Sequence, residues 1–495
     1  MSLPAAITLS LISHTNVGKT TLARTLLRRD IGEVRDAAHV TEVAERHTLI
    51  ETPRGDVLEL WDTPGLGDSV RLLRRLELSA NPLGWFLSQV WDRYTDRPFW
   101  SSQQAVRNVR DHADLVLYLV NAGEDPAGAG YVDPEMRILG WIGKPVLVLL
   151  NQLGPPRPGE QEAADVAAWS GHLASHAIVR QVLAFDAFAR CWVQEHGLLG
   201  AIAPLLPDTK REPFERIAAA WRDRNLASFH ASMTVLARQL AAAATDTEHV
   251  AERGLAASAR DLLKQVAGTG EQADPGVGRA MATLASRLDA EVRGATDELI
   301  TLHGLSGRAA AEILERMGRD VDVSRAADPG RASVIGAAVT GALGGLVADL
   351  AAGGLSFGAG ALLGGILGAA GMGSVARAYN LARGSEATTL RWSTEFLTRR
   401  VTAAAMRYLA VAHFGRGRGD FVQAEYPPHW HGIVEAAVLA RREALEAVWT
   451  SALNGAAGDA LVVRLGPVIG DVVAESLSTL YPDARVTTAE AARPR

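Results

Sequence analysis

The stretch AITLSLISHTNVGKTTLARTLL, residues 6–27, decides the fold of the N-terminal part of the chain. Its apolar run from Ile7 to Ile12 is typical of a short buried strand, and the pattern after Lys19 is typical of a helix. A strand, a loop with Gly18 and a helix, in this order, form the context of a phosphate-binding loop. Backbone N–H groups at the helix N-terminus face the phosphates, and Gly18 lets the backbone approach them closely. A chance Gly-Lys-Thr in an ordinary loop is the alternative.

The polar side chains of this loop have predicted roles at a bound nucleotide. Lys19 supplies a positive charge at the β- and γ-phosphates, and the Thr20 hydroxyl is a ligand for Mg²⁺. Ser13 stands where the usual pattern has its first glycine. The predicted nucleotide-binding residues of the loop are Ser13, Asn16, Val17, Gly18, Lys19, Thr20 and Thr21.

A second motif, DTPG at 62–65, argues against the chance alternative. The run from Val57 to Trp61 alternates in hydropathy and predicts an edge-type strand that ends at this motif. An acidic residue at the tip of a neighbouring strand holds Mg²⁺ directly or through water, so Asp62 is the second predicted metal ligand. The backbone N–H of Gly65 is predicted to sense the γ-phosphate.

Two apolar runs farther along the chain predict the rest of a parallel sheet. Leu115 to Val120 and Val146 to Leu150 have the length of strands that are covered on both faces. Because ligands of open α/β sheets bind at the carboxyl ends of the strands, the polar turns after these runs belong to the same site. We therefore predict an α/β domain at 1–207, with a mostly parallel sheet and helices on both faces.

The loop NVGKT at 16–20 and the DTPG motif resemble the translation-factor-related P-loop GTPases of the Era and TrmE type. The resemblance implies a GTPase that binds GTP or GDP with Mg²⁺. It also implies that Asn16 helps to coordinate a stimulating K⁺ and that a switch threonine closes on Mg²⁺. Thr41 is the candidate for that threonine, with Thr48 and Thr52 as alternatives. The expected catalytic residues are Lys19, Thr41 and Gly65.

Leu66 follows the DTPG motif, at the position where Ras-like enzymes place a water-orienting glutamine. An apolar residue at this position matches the resemblance. It means that the attacking water is oriented in another way, by a different side chain, by K⁺ or by a partner.

The motif expected to read the base is incomplete. The segment NQLG at 151–154 stands where the group carries Asn-Lys-x-Asp, and Gly154 cannot accept the hydrogen bonds that guanine donates. Asn151 is expected to contact the base and orient the loop, and Gln152 to stack along the ring. Asp186, in the predicted last strand and loop VLAFDAF (182–188), is either the replacement reader or a helix cap. A site without its polar reader discriminates less sharply between bases.

A long segment, residues 66–113, separates the DTPG motif from the next strand and contains Trp85, Trp91 and Trp100. One interpretation is an insertion that moves between nucleotide states and presents an output surface. The other is that aromatic residues at near-helical spacing belong to the core.

The remainder of the chain is predicted to be all-α, with a boundary near Pro204 to Pro213. Residues 332–376 contain one charged side chain, Asp349, and glycines at four-residue steps. The segment 350–376 is long enough to cross a bilayer as a helix, and small residues suit close helix packing. The predicted regions after the first domain are a helical region at 208–331, a Gly-rich hydrophobic hairpin at 332–376, a helical region at 377–488 and a disordered tail at 489–495.

The hairpin leads to an expected location. Arg331 and Arg377 flank it, which is consistent with both ends lying on the cytoplasmic side. A soluble buried hairpin is the alternative, since glycine is a poor helix former in water. We expect a cytoplasmic protein that is associated with the inner membrane, or inserted in it, from the cytoplasmic side, where a lipid or a membrane protein is its partner.

Composition restricts the remaining functions. A net charge of −6 and a pI near 6.1 give no case for a nucleic-acid partner. The single cysteine, Cys191, excludes an internal disulfide. The order of the motifs, with DAFARCW at 186–192 and the Gly-rich hairpin, looks like a bacterial GTPase family that carries a domain of unknown function, number 3482. That resemblance implies no known chemistry for the C-terminal half.

Three functions are compatible with these patterns. The first is a slow GTPase that acts as a molecular switch at the bacterial inner membrane and moves its 35–110 region. The second is a dynamin-like membrane-remodelling or scaffolding protein that forms a nucleotide-dependent homodimer. The third is a P-loop nucleotide-binding module with relaxed base specificity and little turnover.

Overall fold

The computed structural model describes residues 4–28, 44–88, 96–153, 159–187, 191–250, 275–305, 379–383, 388–414 and 427–482. Thr41, Trp91, Gly154, the predicted hairpin at 332–376 and the tail at 489–495 lie outside the described residues. Contacts divide the chain into two compact units. The first unit comprises 1–227, 412–423 and 480–485, and the second comprises 228–411, 424–479 and 486–495.

A six-stranded sheet forms the centre of the first unit. Its strands are β1 (Ala6–Ser13), β2 (Glu45–Glu51), β3 (Val57–Asp62), β4 (Leu115–Asn121), β5 (Val146–Asn151) and β6 (Val179–Ala184). They lie side by side in the order β2-β3-β1-β4-β5-β6. The pairing of β2 with β3 is antiparallel, and the other four pairings are parallel.

Helices cover both faces of this sheet. Alternate residues of the central strands point to opposite faces and are buried on both. Val116, Tyr118 and Val120 of β4 belong to one apolar cluster. Leu117 and Leu119 of the same strand belong to the other. The predicted α/β architecture is confirmed. The helices are α1 (Lys19–Leu27), α2 (Ser69–Leu76), α3 (Pro82–Ser88), α4 (Arg97–His112), α5 (Val132–Ile142), α6 (Gly159–Leu173), α7 (Trp192–Ile202) and α8 (Asp208–Thr245).

The prediction that residues 57–61 form an edge strand is wrong. β3 lies between β1 and β2 and is hydrogen-bonded on both sides. The alternating hydropathy arises because one side chain in two is only partly buried, not because the strand lies at the edge. The strand at this edge is β2, whose sequence ERHTLIE has too few apolar residues to predict a strand.

The segment between the DTPG motif and β4 forms three helices, α2, α3 and α4. Phe86 and Phe99 are buried in one core cluster, and Trp85 packs against it while partly exposed. The side chain of Ser102 in α4 accepts a hydrogen bond from the backbone N–H of Gly67 at 3.1 Å. Phe86 and Phe99 therefore belong to the core and Trp85 borders it, and α4 is in direct contact with the loop that follows DTPG.

Helix α8 begins in the first unit and supplies part of its core. Phe214, Ile217 and Trp221 are buried in the same cluster as the residues of β1 and α1. Trp221 Nε1 also donates a hydrogen bond of 2.6 Å to Glu195, a buried residue of α7. Packing of the first unit thus extends past residue 207.

The second unit is mainly helical. It also contains a three-stranded antiparallel sheet. The central strand of this sheet is Thr388–Trp392, and the two edge strands are Thr247–Val250 and Tyr379–Arg383. The sequence predicted only helices here, because these strands are only four or five residues long and one of them, Thr247–Val250, pairs with a strand that is remote in sequence. The elements are β7 (Thr247–Val250), α9 (Pro275–Leu302), β8 (Tyr379–Arg383), β9 (Thr388–Trp392), α10 (Thr394–Ala412), α11 (Pro428–Leu439), α12 (Arg442–Leu453) and α13 (Gly458–Leu480). Within the described part of the chain, no helix has the length and apolar character that crossing a bilayer requires.

Candidate nucleotide-binding site

The predicted phosphate-binding loop joins β1 to α1. Gly18 has a φ of 94°, which L side chains rarely adopt. A Cβ atom at this position would lie 2.6 Å from the side-chain nitrogen of Asn151. Asn16 is also left-handed, with a φ of 66°, a conformation that asparagine tolerates better than most residues. Val17 in the loop and Thr21 in α1 are both buried.

Lys19 and Ser13 contact each other inside the loop. Lys19 Nζ donates a hydrogen bond of 2.9 Å to Ser13 Oγ, and Ser13 is fully buried. Burial lowers the pKa of Lys19, while the charges of Asp62 and Glu135 act in the opposite direction. The Ser13 hydroxyl, at the position where the usual pattern has its first glycine, therefore provides a hydrogen-bond partner for Lys19, the residue predicted to bind phosphate.

Thr20, in the first turn of α1, contacts Asp62 at the carboxyl end of β3. Thr20 Oγ1 donates a hydrogen bond of 2.6 Å to Asp62 Oδ2. Among the described residues, the other carboxylate oxygen of Asp62 is buried without a hydrogen-bond partner. Burial raises the pKa of Asp62 to about 6, against the opposing effects of Thr20 and Lys19. A hydroxyl beside a carboxylate with an unpartnered buried oxygen is a donor set that fits Mg²⁺, which prefers oxygen ligands.

Gly65 lies directly against the phosphate-binding loop. A Cβ atom at Gly65 would come within 3.1 Å of Thr15 and 3.2 Å of Lys19 Nζ. The next residue, Leu66, donates its backbone N–H to the Ser13 carbonyl at 2.9 Å. Its side chain is only 1% exposed and belongs to a core cluster. The DTPG motif is thus held against the loop by backbone contacts, and the side chain that follows it points into the core.

Asn151 links three segments of the site. Its side-chain nitrogen donates to the Val17 carbonyl at 2.7 Å, and its side-chain oxygen accepts from the Ala187 N–H at 2.8 Å. The residue is fully buried. Asn151, the last residue of β5, is therefore hydrogen-bonded both to the phosphate-binding loop and to the segment that follows β6.

Asp186 and Gln152 lie near this link. Asp186 Oδ2 accepts a hydrogen bond of 2.7 Å from the Leu153 N–H, so the carboxylate holds the segment that stands in the base-reading position. The N-cap of the following helix, α7, is Cys191, so the alternative that Asp186 caps this helix is wrong. Gln152 has a φ of 59°, which turns the chain sharply after β5.

The two alternatives to Thr41 lie in the β2–β3 hairpin. Thr48 is paired with Glu59 within the sheet. The Thr52 hydroxyl is buried and donates to Asp56 Oδ2 at 3.0 Å in the turn between the strands. The structure brings neither to Lys19 or Asp62 by a hydrogen bond within the described residues.

A buried polar network adjoins the loop at His14. His14 Nδ1 lies 2.8 Å from Glu135 Oε1, and Tyr118 donates its hydroxyl to Glu135 Oε2 at 2.6 Å. The His14 ring stacks on Tyr131, with ring centroids 4.3 Å apart. Glu135 is fully buried in α5, so its carboxylate depends on these donors for compensation.

Two family models match the chain. The model described as a domain of unknown function, DUF3482, matches residues 174–459, which is more than half of the sequence. The chain belongs to the DUF3482 family. The model described as the 50S ribosome-binding GTPase matches residues 8–152. This DUF3482 protein therefore carries an N-terminal P-loop GTPase domain, as the resemblance to Era-type GTPases predicted.

Solved structures similar to this DUF3482 protein include two of Era. One is Era in complex with MgGDPNP and nucleotides 1506–1542 of 16S ribosomal RNA, with 17% identity, a TM-score of 0.31, and coverage of 41% of this chain and 58% of that chain. The other is an Era variant from Aquifex aeolicus bound to GDP and AlF4⁻, with 17% identity, a TM-score of 0.32, and coverage of 42% and 58%. The match thus spans 58% of the length of each Era chain.

A structure of the chloroplast translocon components atToc33 and psToc159 is also similar. It has 13% identity and a TM-score of 0.24, and the match covers 38% of the DUF3482 chain and 72% of that chain. A search of curated proteins finds no significant match.

The sequence did not predict the contacts among His14, Glu135 and Tyr118 in this DUF3482 protein. His14 and Glu135 are 121 residues apart, so no local pattern connects them. The one signal available was an acidic residue on the apolar side of a helix, with Val132 and Met136 nearby. An acidic residue on such a face requires a buried partner.

Proposed function

We propose that this protein binds GTP and hydrolyses it slowly in a Mg²⁺-dependent reaction, which makes it a molecular switch. The observation that carries the proposal is the Thr20–Asp62 hydrogen bond beside Lys19, with one Asp62 oxygen buried and unpartnered. A lysine, a hydroxyl and a carboxylate placed in this way at the end of a parallel sheet are suited to a nucleoside triphosphate with its metal ion.

In the proposed mechanism the chain mainly positions the triphosphate. The backbone N–H groups from Asn16 to Thr20 surround the phosphates, and Lys19 exchanges its contact with Ser13 for phosphate oxygens. Thr20 and Asp62 would hold Mg²⁺, with Thr41 as a further proposed ligand. Bound Mg²⁺ offsets the negative charge that develops on the phosphate oxygens. The Gly65 N–H donates to the γ-phosphate and so distinguishes GTP from GDP.

Asn16 is the proposed ligand of a stimulating K⁺. The proposal is supported by the resemblance, and Asn16 is the one described non-glycine residue of the loop with a left-handed backbone. Turnover in K⁺ should exceed turnover in Na⁺ at equal ionic strength. Equal rates in both salts would remove K⁺ from the mechanism and leave the Mg²⁺ site unaffected.

Guanine selectivity is assigned to Asp186. Its carboxylate contacts the segment that begins the base-reading motif, next to the Asn151 link. The second candidate function, a nucleotide-binding module with relaxed base specificity, is favoured by Gly154, which has no side chain to accept hydrogen bonds from guanine.

The deciding experiment measures the affinity of the purified protein for GTP, GDP and ATP with Mg²⁺ and K⁺. We expect tight binding of both guanine nucleotides, weak binding of ATP, and no binding of any nucleotide by Lys19→Ala. Lys144→Ala, which removes a lysine outside the loop, is the matched control and should bind normally. Equal affinity for ATP would favour the relaxed module, and normal binding by Lys19→Ala would contradict the site itself.

We further propose that the protein works at the cytoplasmic face of the bacterial inner membrane. This part of the proposal is supported by the sequence of 332–376, which has one charged residue and regularly spaced glycines. Flotation of the full-length protein with phospholipid vesicles tests it, with deletion of 332–376 as the comparison. Flotation combined with GTP-dependent sedimentation would instead favour the dynamin-like homodimer, and a protein that stays at the bottom of the gradient would contradict both.

A further inference from the structure

Hydrolysis at the proposed site requires a group that orients the attacking water. Leu66 cannot serve, because its side chain is apolar and buried in a core cluster. Another side chain must therefore orient the water, and its assignment rests on the proposed GTPase function.

His14 lies beside Leu66, the position that lacks a side chain able to orient water. Its backbone forms a parallel bridge with Leu66, so the two residues are direct neighbours across the loop. The next residue, Thr15, lies against Gly65, the proposed γ-phosphate sensor. The His14 side chain is 29% exposed, so part of the ring is accessible to solvent.

The orientation of the His14 ring is fixed by its neighbours. A carboxylate can only accept hydrogen bonds, so the short contact with Glu135 places the proton of a neutral His14 ring on Nδ1. In that tautomer Nε2 is an acceptor. Within the described residues Nε2 has no hydrogen-bond partner, and stacking on Tyr131 limits rotation of the ring.

The acidic partner is itself fixed in place. Glu135 is fully buried, and its second oxygen accepts the Tyr118 hydroxyl at 2.6 Å. Its charge also acts on Lys19, which indicates that the His14–Glu135 pair lies near the phosphate-binding lysine. A nitrogen acceptor oriented by a buried carboxylate, at the edge of a phosphate site, is an arrangement that positions water.

We propose that His14 orients the attacking water through Nε2, and that Glu135 and Tyr118 are positioning residues that hold its ring. In this step the water oxygen forms a bond to the γ-phosphorus while the bond from that phosphorus to the β–γ bridging oxygen breaks. The bridging oxygen leaves on GDP with the electron pair. Both water protons remain on the released phosphate, so His14 contributes a hydrogen bond and no net proton transfer.

The test compares hydrolysis with binding in His14→Ala, His14→Gln and Glu135→Gln. We expect His14→Ala to lower the single-turnover rate of GTP hydrolysis on the order of 100-fold, because misplacement of a reacting group has effects of this size. Its affinity for GDP should stay within about 3-fold of the wild type, which is under 1 kcal/mol. Affinity for GDP with aluminium fluoride, a transition-state mimic, should fall with the rate.

Conservative variants separate water positioning from a structural role. The glutamine side chain of His14→Gln retains an acceptor, so this variant should recover part of the rate lost in His14→Ala. Glu135→Gln should slow hydrolysis less than His14→Ala, because the ring remains but its orientation is less well fixed. The matched control is His176→Ala. His176 lies outside the proposed site and pairs at 2.7 Å with Asp133 of α5, the helix that carries Glu135. This variant should hydrolyse GTP at the wild-type rate.

The outcomes distinguish this inference from the function it rests on. Wild-type hydrolysis by a folded His14→Ala variant would overturn the role of His14 and leave the GTPase function intact. A rate that falls only as far as GTP affinity falls would also overturn it. If His14→Ala does not fold by circular dichroism, His14→Gln decides, and a loss of GDP affinity equal to its loss of rate would contradict the proposal. Absence of hydrolysis in the wild type would overturn the proposed function, and the inference with it.

Discussion

Ser13 shows what one hydroxyl does at a position where a phosphate-binding loop ordinarily has glycine. It accepts a hydrogen bond from Lys19 and is fully buried, so the lysine has a protein partner before any phosphate arrives. In the proposed mechanism, Lys19 exchanges this contact for phosphate oxygens when nucleotide binds. A net hydrogen bond to a charged group contributes about 1.5–3 kcal/mol, so the competition is large enough to measure.

Ser13→Ala should therefore bind GDP more tightly and be less stable without nucleotide. We expect an affinity gain of roughly 3- to 10-fold, which corresponds to about 0.7–1.4 kcal/mol. Titration calorimetry gives the affinity and thermal melting gives the stability. Ser170→Ala, on the exposed side of α6, is the control and should change neither. A weaker affinity for GDP in Ser13→Ala would mean that the hydroxyl binds phosphate directly.

Gly65 gives a second prediction at the same scale. Because a Cβ atom would crowd Thr15 and Lys19 Nζ, Gly65→Ala should push the DTPG loop away from the γ-phosphate. We expect the affinity for a non-hydrolysable GTP analogue to fall about 10-fold or more, with a smaller loss for GDP. Gly130→Ala, where a Cβ atom would meet nothing within 4 Å, is the matched control. Equal losses for both nucleotides would show that Gly65 does not sense the γ-phosphate.

At the scale of elements, α8 is joined to the β2–β3 hairpin by an ion pair. Arg216 donates to both carboxylate oxygens of Asp56 at 2.8 Å, and Asp56 is fully buried. Hydrogen bonding from Arg216 is the main cause that lowers the pKa of Asp56 in the folded state. The pair therefore stabilises the fold above the unfolded pKa of about 4, and this contribution is lost as the pH falls through the lower folded pKa.

Asp56→Asn should lower the Tm by several degrees at pH 7, and the difference from wild type should shrink as the pH falls below about 4. Melting curves from pH 7 to pH 3 test this. Asp111→Asn is the control: Asp111 also pairs with an arginine, but both side chains are largely exposed, and such pairs contribute little. A Tm difference for Asp56→Asn that is independent of pH would assign the effect to packing.

Elements also mark the limit of what the sequence could predict. The strand–loop–helix of residues 6–27 was predictable because its signals are local, in apolar runs and in Gly18. The edge strand β2 was not, since its seven residues form a strand only by pairing with β3. The same limit applies to side chains. Lys19, Thr20 and Asp62 were identified by motif, whereas the His14–Glu135 contact depends on the assembled sheet.

At the scale of the whole molecule, the nucleotide-binding unit extends into the helical half of the sequence. Phe214, Ile217 and Trp221 of α8 complete a core cluster under the sheet. Removing one large buried side chain of this kind costs about 3–5 kcal/mol, which is comparable to the stability of a small domain. A fragment that ends at the predicted boundary, residue 207, lacks all of them.

A fragment of residues 1–207 should therefore melt without cooperativity, and 1–227 should melt cooperatively with a Tm that GDP raises. Calorimetry of both fragments tests this. The control is 1–227 with Trp221→Ala, which should lose most of the gain because Trp221 also bonds to Glu195. Cooperative melting of 1–207 would place the boundary before α8.

The rate of chemical modification of Cys191 can report local opening of the protein. It is the single thiol in 495 residues, and it is fully buried where α7 begins, close to the segment that joins Asp186 to this helix. A thiol reagent can modify it only during openings of that region, so the labelling rate reports how often the nucleotide domain opens. Bound nucleotide should lower the labelling rate of Cys191 in proportion to its occupancy, because binding favours the closed form. The frequency of opening can thus be measured for every variant described above without an attached probe.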